Sequence, residues 1–516
     1  MRRIVFLVLF GFIAAASAIA IAQSPASSSS STAAWFGVAL PPGLGDPHRA
    51  IIDVSAAKPA PAIVPAGEEK NHELEGAAVH KHLEAIVGFS RADQARGEKA
   101  WGRITGFPGA DATHQWVAEQ FKAAGLKNVE LQTYTASGPT WHPKSWEVRV
   151  MANAKAGAAS RDVVLESAFP TSGSQLAAPV TAPLVYVGAT TDAALPDVDV
   201  KGKVAVQRLH PQAGAFSERT GTTERARALA QKGAVAVLNV VEQAGNMHVR
   251  DFSNCGVPCF NLGTEDGKFL IGIIEKATAA GALPDLRVKV ALDTEMLPAL
   301  KGHNTIGTVV GRRTDEQVIV NAHADGWFDA AGDNGDGLAV LIALARHFAK
   351  PENQPERSLV FVASGGHHGG GMNGPGNLMQ MNPGLKGPTV LVLNLEHIAQ
   401  LYFRNDPFRV ESAEQPMGWG VDTEAPYIQA LAKRGMERYG FALRPNFGSS
   451  IAGDLGGYAP IGAPRAQAIH AGPLYHTSGD TIDTISTPGL ERAARYYAYF
   501  VADVAKANRA DLLAKK

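Results

Sequence analysis

Residues 316–368 read EQVIVNAHADGWFDAAGDNGDGLAVLIALARHFAKPENQPERSLVFVASGGHH. VIVNA and SLVFVAS are short, continuous apolar runs of strand length. GDGLAVLIALARHFAK, between them, spaces its apolar residues as an amphipathic helix. Working outward, HNTIGTVVG precedes this stretch, and TVLVLNLEHIA and APRAQAIHAG follow it, each carrying another Val-, Ile-, Leu- or Ala-rich run. Apolar strands alternating with helices are the pattern of a largely parallel sheet covered by helices on both faces.

In such sheets the functional residues gather at the carboxyl ends of the strands. His323 and Asp325 follow VIVNA, and Asp333 lies in GDNGDG, just before the helix. His367 and His368 follow SLVFVASGG, Glu396 and His397 follow TVLVLNL, and Tyr475 and His476 lie in PLYHTSGD. A lone strand-end histidine is usually a hydrogen-bonded structural group. Imidazole and carboxylate groups at four or five strand ends point instead to zinc or another first-row divalent ion. His397 would point away from Glu396 if the strand continued, His470 reads as structural, and His210 and His248 carry no catalytic expectation.

Upstream, HKHLEAIVGF reads as a helix. WGRITGFPGADATHQWVAEQFKAAGL is a glycine-marked loop leading into an amphipathic helix that Gly125 should end. NVELQTYTA alternates as a strand. From about residue 165 the chain changes to APLVYVG, VKGKVAVQRL, ERARALAQKGAVAVLNVV, VPCFNLGTEDGKFL and LRVKVALDT. These short strands interleaved with helices predict a compact α/β unit ending near residue 296.

With these motifs the chain resembles the co-catalytic zinc peptidases that include secreted bacterial aminopeptidases, carboxypeptidase Q and the glutamate carboxypeptidases. The resemblance is carried by GRITGFPG, HNTIGTVVG, HADGWFDAAGDNGDG, LNLEH and PLYHTSGDTID. The unit over residues 165–296 resembles a protease-associated (PA) domain, through VKGKVAV, KGAVAVLNV and VPCFNLGTEDGKFL. The resemblance implies an α/β fold with a mainly parallel mixed sheet sandwiched by helices, and a PA domain inserted between residues 71–164 and 297–516. It implies that His323 binds one metal, that Asp333 bridges two, that Glu396 completes the first site and that His476 binds the second. Asp325 would orient the His323 imidazole, and Tyr475 would line the substrate pocket. The implied cofactor is zinc, one or two ions.

His367 and His368 depart from that pattern, which has a Glu-Glu pair there. No Asp or Glu occurs between Glu356 and Glu396, so shifting the alignment recovers no carboxylate. Imidazole still ligates zinc, so His368 can serve as a ligand. His367 stands where the family has its general base. A neutral imidazole can accept a proton, but it becomes a cation beside a dication, which opposes the transfer. The expected function is metal-dependent hydrolysis of a peptide or small amide by a metal-activated water. The alternative is a non-catalytic, receptor-like metal-binding member of the family.

The 516 residues are too many for one simple core. A net charge of −1 gives no reason to expect a nucleic-acid partner. Arg2 and Arg3, the apolar run over residues 4–22 and the small-x-small site before Gln23 predict a cleaved signal peptide over residues 1–22, hence export to the periplasm or the medium with no membrane span afterwards. Residues 23–70, rich in Ser, Ala and Pro, read as a linker. The two cysteines, Cys255 and Cys259, could close a small disulfide in an exported protein. Oligomeric state is not readable.

Overall fold

The computed structural model describes residues 34–514, apart from positions 56, 158, 191–193, 210–221, 251–255, 370, 406–407, 413–416, 422–424, 448–452, 470–471 and 473. The expected signal peptide over residues 1–22 lies outside the described residues, as do His210, His470 and Cys255. The other half of the expected disulfide, Cys259, is buried at the start of a strand.

One eight-stranded sheet carries the strand ends singled out above. Its strands are β1 (Lys127–Thr135), β2 (Lys301–Val309), β3 (Arg313–His323), β4 (Arg357–Ser364), β5 (Thr389–Leu395), β6 (Met417–Val421), β7 (Leu443–Phe447) and β8 (Arg465–Ile469). Their spatial order is β7-β6-β8-β5-β3-β4-β2-β1. The central strands β4, β3, β5 and β8 run parallel. β1 and β2 join antiparallel on one side, and β6 joins β8 antiparallel on the other. This is the mainly parallel mixed sheet expected from the sequence. Every residue of β4 and β5 is buried, as uninterrupted apolar strands require when both faces are covered.

Alternate residues of β3 serve the two faces. Val318, Val320 and Ala322 join a core under helices α1 (Gly76–Ala95), α2 (Pro108–Ala124) and α3 (Asp336–Phe348), with two later helices, α5 (Pro426–Tyr439) and α6 (Thr487–Lys506). Ile319 joins a second core with Leu378 and Met379 of α4 (Gly374–Met381) and with Leu455 and Tyr458. α3 is buried almost all round, and each of Leu338, Leu341 and Leu344 contributes roughly 1.5–3 kcal/mol by leaving water. α2 ends at Gly125 in the left-handed region, φ 92°, as its sequence predicts.

The second eight-stranded sheet is built around four parallel strands, Val180–Ala189, Val204–Leu209, Ala236–Val241 and Cys259–Leu262. Thr140–Val150 also belongs to it, pairing antiparallel along Arg287–Leu297. The sheet therefore reaches back about two dozen residues before the boundary expected at residue 165. The alternation in Thr140–Val150 marks a strand but does not name its partner.

The segment that reads as a linker is packed from residue 34 onward. Trp35 is buried with its ring edge-on to Phe269, and the carbonyls of Ala60 and Glu68 accept hydrogen bonds from Arg492 and Arg495 of α6. A few apolar and carbonyl anchors suffice where the composition alone suggests loose chain.

Candidate metal centre

The carboxyl ends of β3, β4, β5 and the loop after β8 converge on one buried carboxylate, Asp333. His323, the last residue of β3, places Nε2 3.3 Å from Asp333 Oδ1 and 3.8 Å from Glu396 Oε1. On the other side, His476 Nε2 lies 3.2 Å from Asp333 Oδ2, and His368 Nε2 lies 3.1 Å from Oδ2 and 3.2 Å from Oδ1. Asp333 Oδ1 thus faces His323 and Oδ2 faces His476, with His368 between them. Ligands held at about 2.1 Å around a tetrahedral zinc stand roughly 3.4 Å apart, which is the spacing seen. The five expected ligands are therefore brought together.

The turn that presents Asp333 is fixed from both sides. Asp480 accepts from the backbone N–H of Gly332 (2.9 Å) and of Asp333 (3.0 Å), and from Gln400 Nε2 (3.1 Å). Burial raises the Asp480 carboxyl to about 7. The buried Arg103 guanidinium donates to the carbonyls of Ala324, Asp329 and Ala330 and to Ser90 Oγ. Arg103 lies in the GRITGFPG motif and clamps the loop between His323 and Asp333.

Asp325 differs from its expected role. His323 Nδ1 is bonded to the Asp325 backbone carbonyl at 2.9 Å, while the nearer carboxylate oxygen is 3.6 Å away, too far for a hydrogen bond. Asp325 Oδ2 instead accepts from the His368 backbone N–H (2.9 Å) and Thr105 Oγ1 (2.8 Å), tying down the loop after β4. Tyr475 stacks on His476, ring centroids 3.4 Å apart, and borders the cavity beside the site.

Asp454 escapes the sequence reading, and His397, only a spare candidate there, joins the site. His397 does not point away: its backbone turns at φ 53°, breaking the strand alternation, and Nε2 lies 3.5 Å from Asp333 Oδ1 and 3.7 Å from Glu396 Oε1. Asp454, in the short helix Gly453–Ile461, accepts from His367 Nδ1 at 2.9 Å. No strand end or spacing marks Asp454, which stands 87 residues from its partner. Gly453 beside it is required by close approach, since a Cβ there would lie 2.8 Å from Glu396 Oε2 and its φ is +73°.

His367 stacks on His323, centroids 4.0 Å apart and planes within 5°. Its Nε2 lies 3.7 Å from Glu396 Oε1. Burial and the neighbouring His323 push its imidazole down, but the Glu396 and Asp454 carboxylates outweigh them and raise it to about 9. Burial holds His368 and His397 low, at about 4 and about 3. Both are neutral near pH 7, the form in which imidazole ligates a metal.

A cavity of about 420 Å³ opens beside the cluster, bordered by His367, His368 and His476 together with Trp327, Trp141, Phe107 and Arg250. The Arg250 guanidinium lies over the Trp327 ring, 3.9 Å from its centroid. No Asp or Glu is among the described residues that line it.

Residues 304–501, which contain every candidate ligand, match the profile of Peptidase family M28. Over 97 residues the chain is 30% identical to a probable glutamate carboxypeptidase of Arthroderma benhamiae, a stretch covering 18% of this chain and only 13% of that relative's length. Solved structures share the fold at low identity. A Peptidase M28 precursor from Shewanella amazonensis matches with a TM-score of 0.61 at 18% identity, over 84% of this chain and 98% of its own. A zinc aminopeptidase from Bacillus subtilis matches at 0.56 and 20%, over 84% and 98%. Residues 304–501 are thus similar to Peptidase family M28, and the chain shares the fold of the solved structures.

Proposed function

We propose that this chain is an exported, zinc-dependent hydrolase of peptide or related amide bonds, with His367 as the proton acceptor and His323, Asp333, His368, Glu396 and His476 as metal ligands. The observation that carries the reading is Asp333, a buried carboxylate with His323 Nε2 beside Oδ1, His476 Nε2 beside Oδ2 and His368 Nε2 within reach of both. The donors suit a first-row divalent ion. The buried Nε2 atoms of His323 and His397 make no hydrogen bond among the described residues, as expected of lone pairs kept for a cation. One or two ions fit the donor set. Zinc, when bound, would supply Lewis acidity to the attacking water and to the substrate carbonyl.

The chain's own groups do the rest. Asp480, Arg103 and Asp325 hold the ligand-bearing loops in place. Beside a bound cation, His367 gives up the proton that Glu396 and Asp454 otherwise keep on it up to about pH 9. The freed Nε2 then takes a proton from the attacking water as its oxygen bonds to the carbonyl carbon. The same nitrogen returns that proton to the leaving amide nitrogen as the C–N bond breaks. The cavity beside His367 and His476 receives the substrate, with Tyr475 on its wall. We read the unit carrying the second sheet as a PA domain, which contributes Arg250 to this cavity.

The test is metal analysis of the purified chain with a screen of aminoacyl and dipeptide substrates, before and after chelation and zinc add-back. Bound zinc and turnover that disappears and returns with it are expected. No bound metal and no hydrolysis would overturn the reading. Bound metal with ligand binding but no turnover would favour a receptor-like binding protein.

A further inference from the structure

His367 needs two things to accept a proton beside a metal. Its Nε2 must carry the lone pair, and the cation that forms must be offset by a negative charge. The structure places one side chain that can meet both needs. Asp454 is buried, and its Oδ1 meets His367 Nδ1 at 2.9 Å. An ionised carboxylate only accepts, so Nδ1 must bear the hydrogen and Nε2 the lone pair. The other oxygen, Oδ2, is held by Asn321 Nδ2 at 3.0 Å and Ser364 Oγ at 2.5 Å. The carboxylate is thereby locked by donors on β3 and β4, the strands that carry His323 and lead to His367.

Ring geometry separates His367 from the ligands. An imidazole binds an ion in its own plane, so two parallel stacked rings cannot aim their lone pairs at one point. His323 and His367 are stacked within 5°. Yet the ring nitrogens of His323, His367 and His368 all fall within 4.8 Å of one another. His367 therefore sits beside His323 and His368 without sharing the His323 ion, which is where a proton acceptor for water belongs.

We propose that Asp454 is the positioning residue of His367: it fixes the Nδ1–H tautomer and the ring plane. This rests on the hydrolase reading for its catalytic consequence, but not for the tautomer. Asp454→Asn makes the sharpest test. Asn321 and Ser364 both donate to the Oδ2 position, so the amide oxygen should turn to them and its NH₂ toward His367 Nδ1. That bond forces the hydrogen onto Nε2.

The experiment combines three readouts on the full chain: steady-state kinetics, bound zinc, and the ¹⁵N spectrum of histidine-labelled, metal-free protein recorded above about pH 9, where His367 is neutral, with its signal assigned from His367→Gln. For Asp454→Asn, kcat should fall by about 100-fold or more, as for loss of acid–base catalysis. KM should move less than about threefold, zinc should be retained, and the His367 tautomer should switch. Asp454→Glu should restore part of kcat by restoring a carboxylate. Unchanged kcat, an unchanged tautomer, or a loss of kcat explained by lost zinc would each overturn the proposal. If the wild-type chain hydrolyses nothing, the hydrolase reading fails, and the tautomer measurement still decides the role of Asp454.

Discussion

Removing the Arg103 side chain should loosen both the fold and the metal centre. In Arg103→Ala the Ala324 carbonyl loses its donor, the Asp329 carbonyl keeps only Ser90 Oγ (3.3 Å) and the Ala330 carbonyl keeps only the Gly335 N–H (3.0 Å). Each buried carbonyl left unsatisfied costs about 1–3 kcal/mol. That one carbonyl, with about 1.5 kcal/mol for each of the two other guanidinium bonds lost, would cost roughly 4–6 kcal/mol if the space stayed dry. Water entering the vacated volume would satisfy some of these carbonyls, so a loss of about 3–5 kcal/mol is expected. The guanidinium also sits among the carboxylates of Asp329, Asp333, Asp480 and Asp325, whose mutual repulsion would then be less compensated. The two ends of the clamped loop carry His323 and Asp333, so zinc affinity should fall by tenfold or more. Urea unfolding with and without zinc, together with chelator competition, measures both quantities. A loss below about 1 kcal/mol with unchanged zinc affinity would refute the view that Arg103 sets the loop geometry.

Glu73 supplies a pH-dependent contribution away from the site. Burial opposes its charge, but hydrogen bonds from His347 and Lys350 win and hold its carboxyl at about 2, below the ordinary 4.5. A depressed carboxylate stabilises the fold above the unfolded value and loses that contribution as pH falls through the folded one. Glu73→Gln should therefore cost about 2 kcal/mol at pH 6, and its deficit should shrink between about pH 4.5 and pH 2 in paired urea titrations; a deficit constant over that range would contradict it.

Much of the site was legible because the chemistry sits at strand ends. An apolar run followed by a histidine or carboxylate is visible in VIVNAHAD and LVLNLEH, and parallel strands β3, β4 and β5 bring those ends together. What failed depended on local backbone or distant packing. His397 was read from strand alternation, but the strand stops at Leu395 and the chain turns at positive φ, swinging the imidazole inward. The orienting contact to His323 comes from the Asp325 carbonyl, which no sequence motif encodes. Asp454 reaches the cluster only because the short helix Gly453–Ile461 packs over Ile319 and Val362 of β3 and β4. Partner choice was similarly hidden for Thr140–Val150, whose alternation suits either sheet.

Asp333 stands at the middle of the candidate ligands, with Oδ1 toward His323 and Oδ2 toward His476, so equilibrium zinc binding should depend on it above any other donor. The wild-type chain, Asp333→Ala, Glu396→Ala and His476→Ala are compared by dialysis and metal analysis. Asp333→Ala should lose all tightly bound zinc, because the His323 and His476 sides both lose an oxygen. Glu396→Ala and His476→Ala should each weaken zinc binding, the first through the His323 side of Asp333 and the second through the His476 side. Full zinc binding retained in Asp333→Ala would contradict the account.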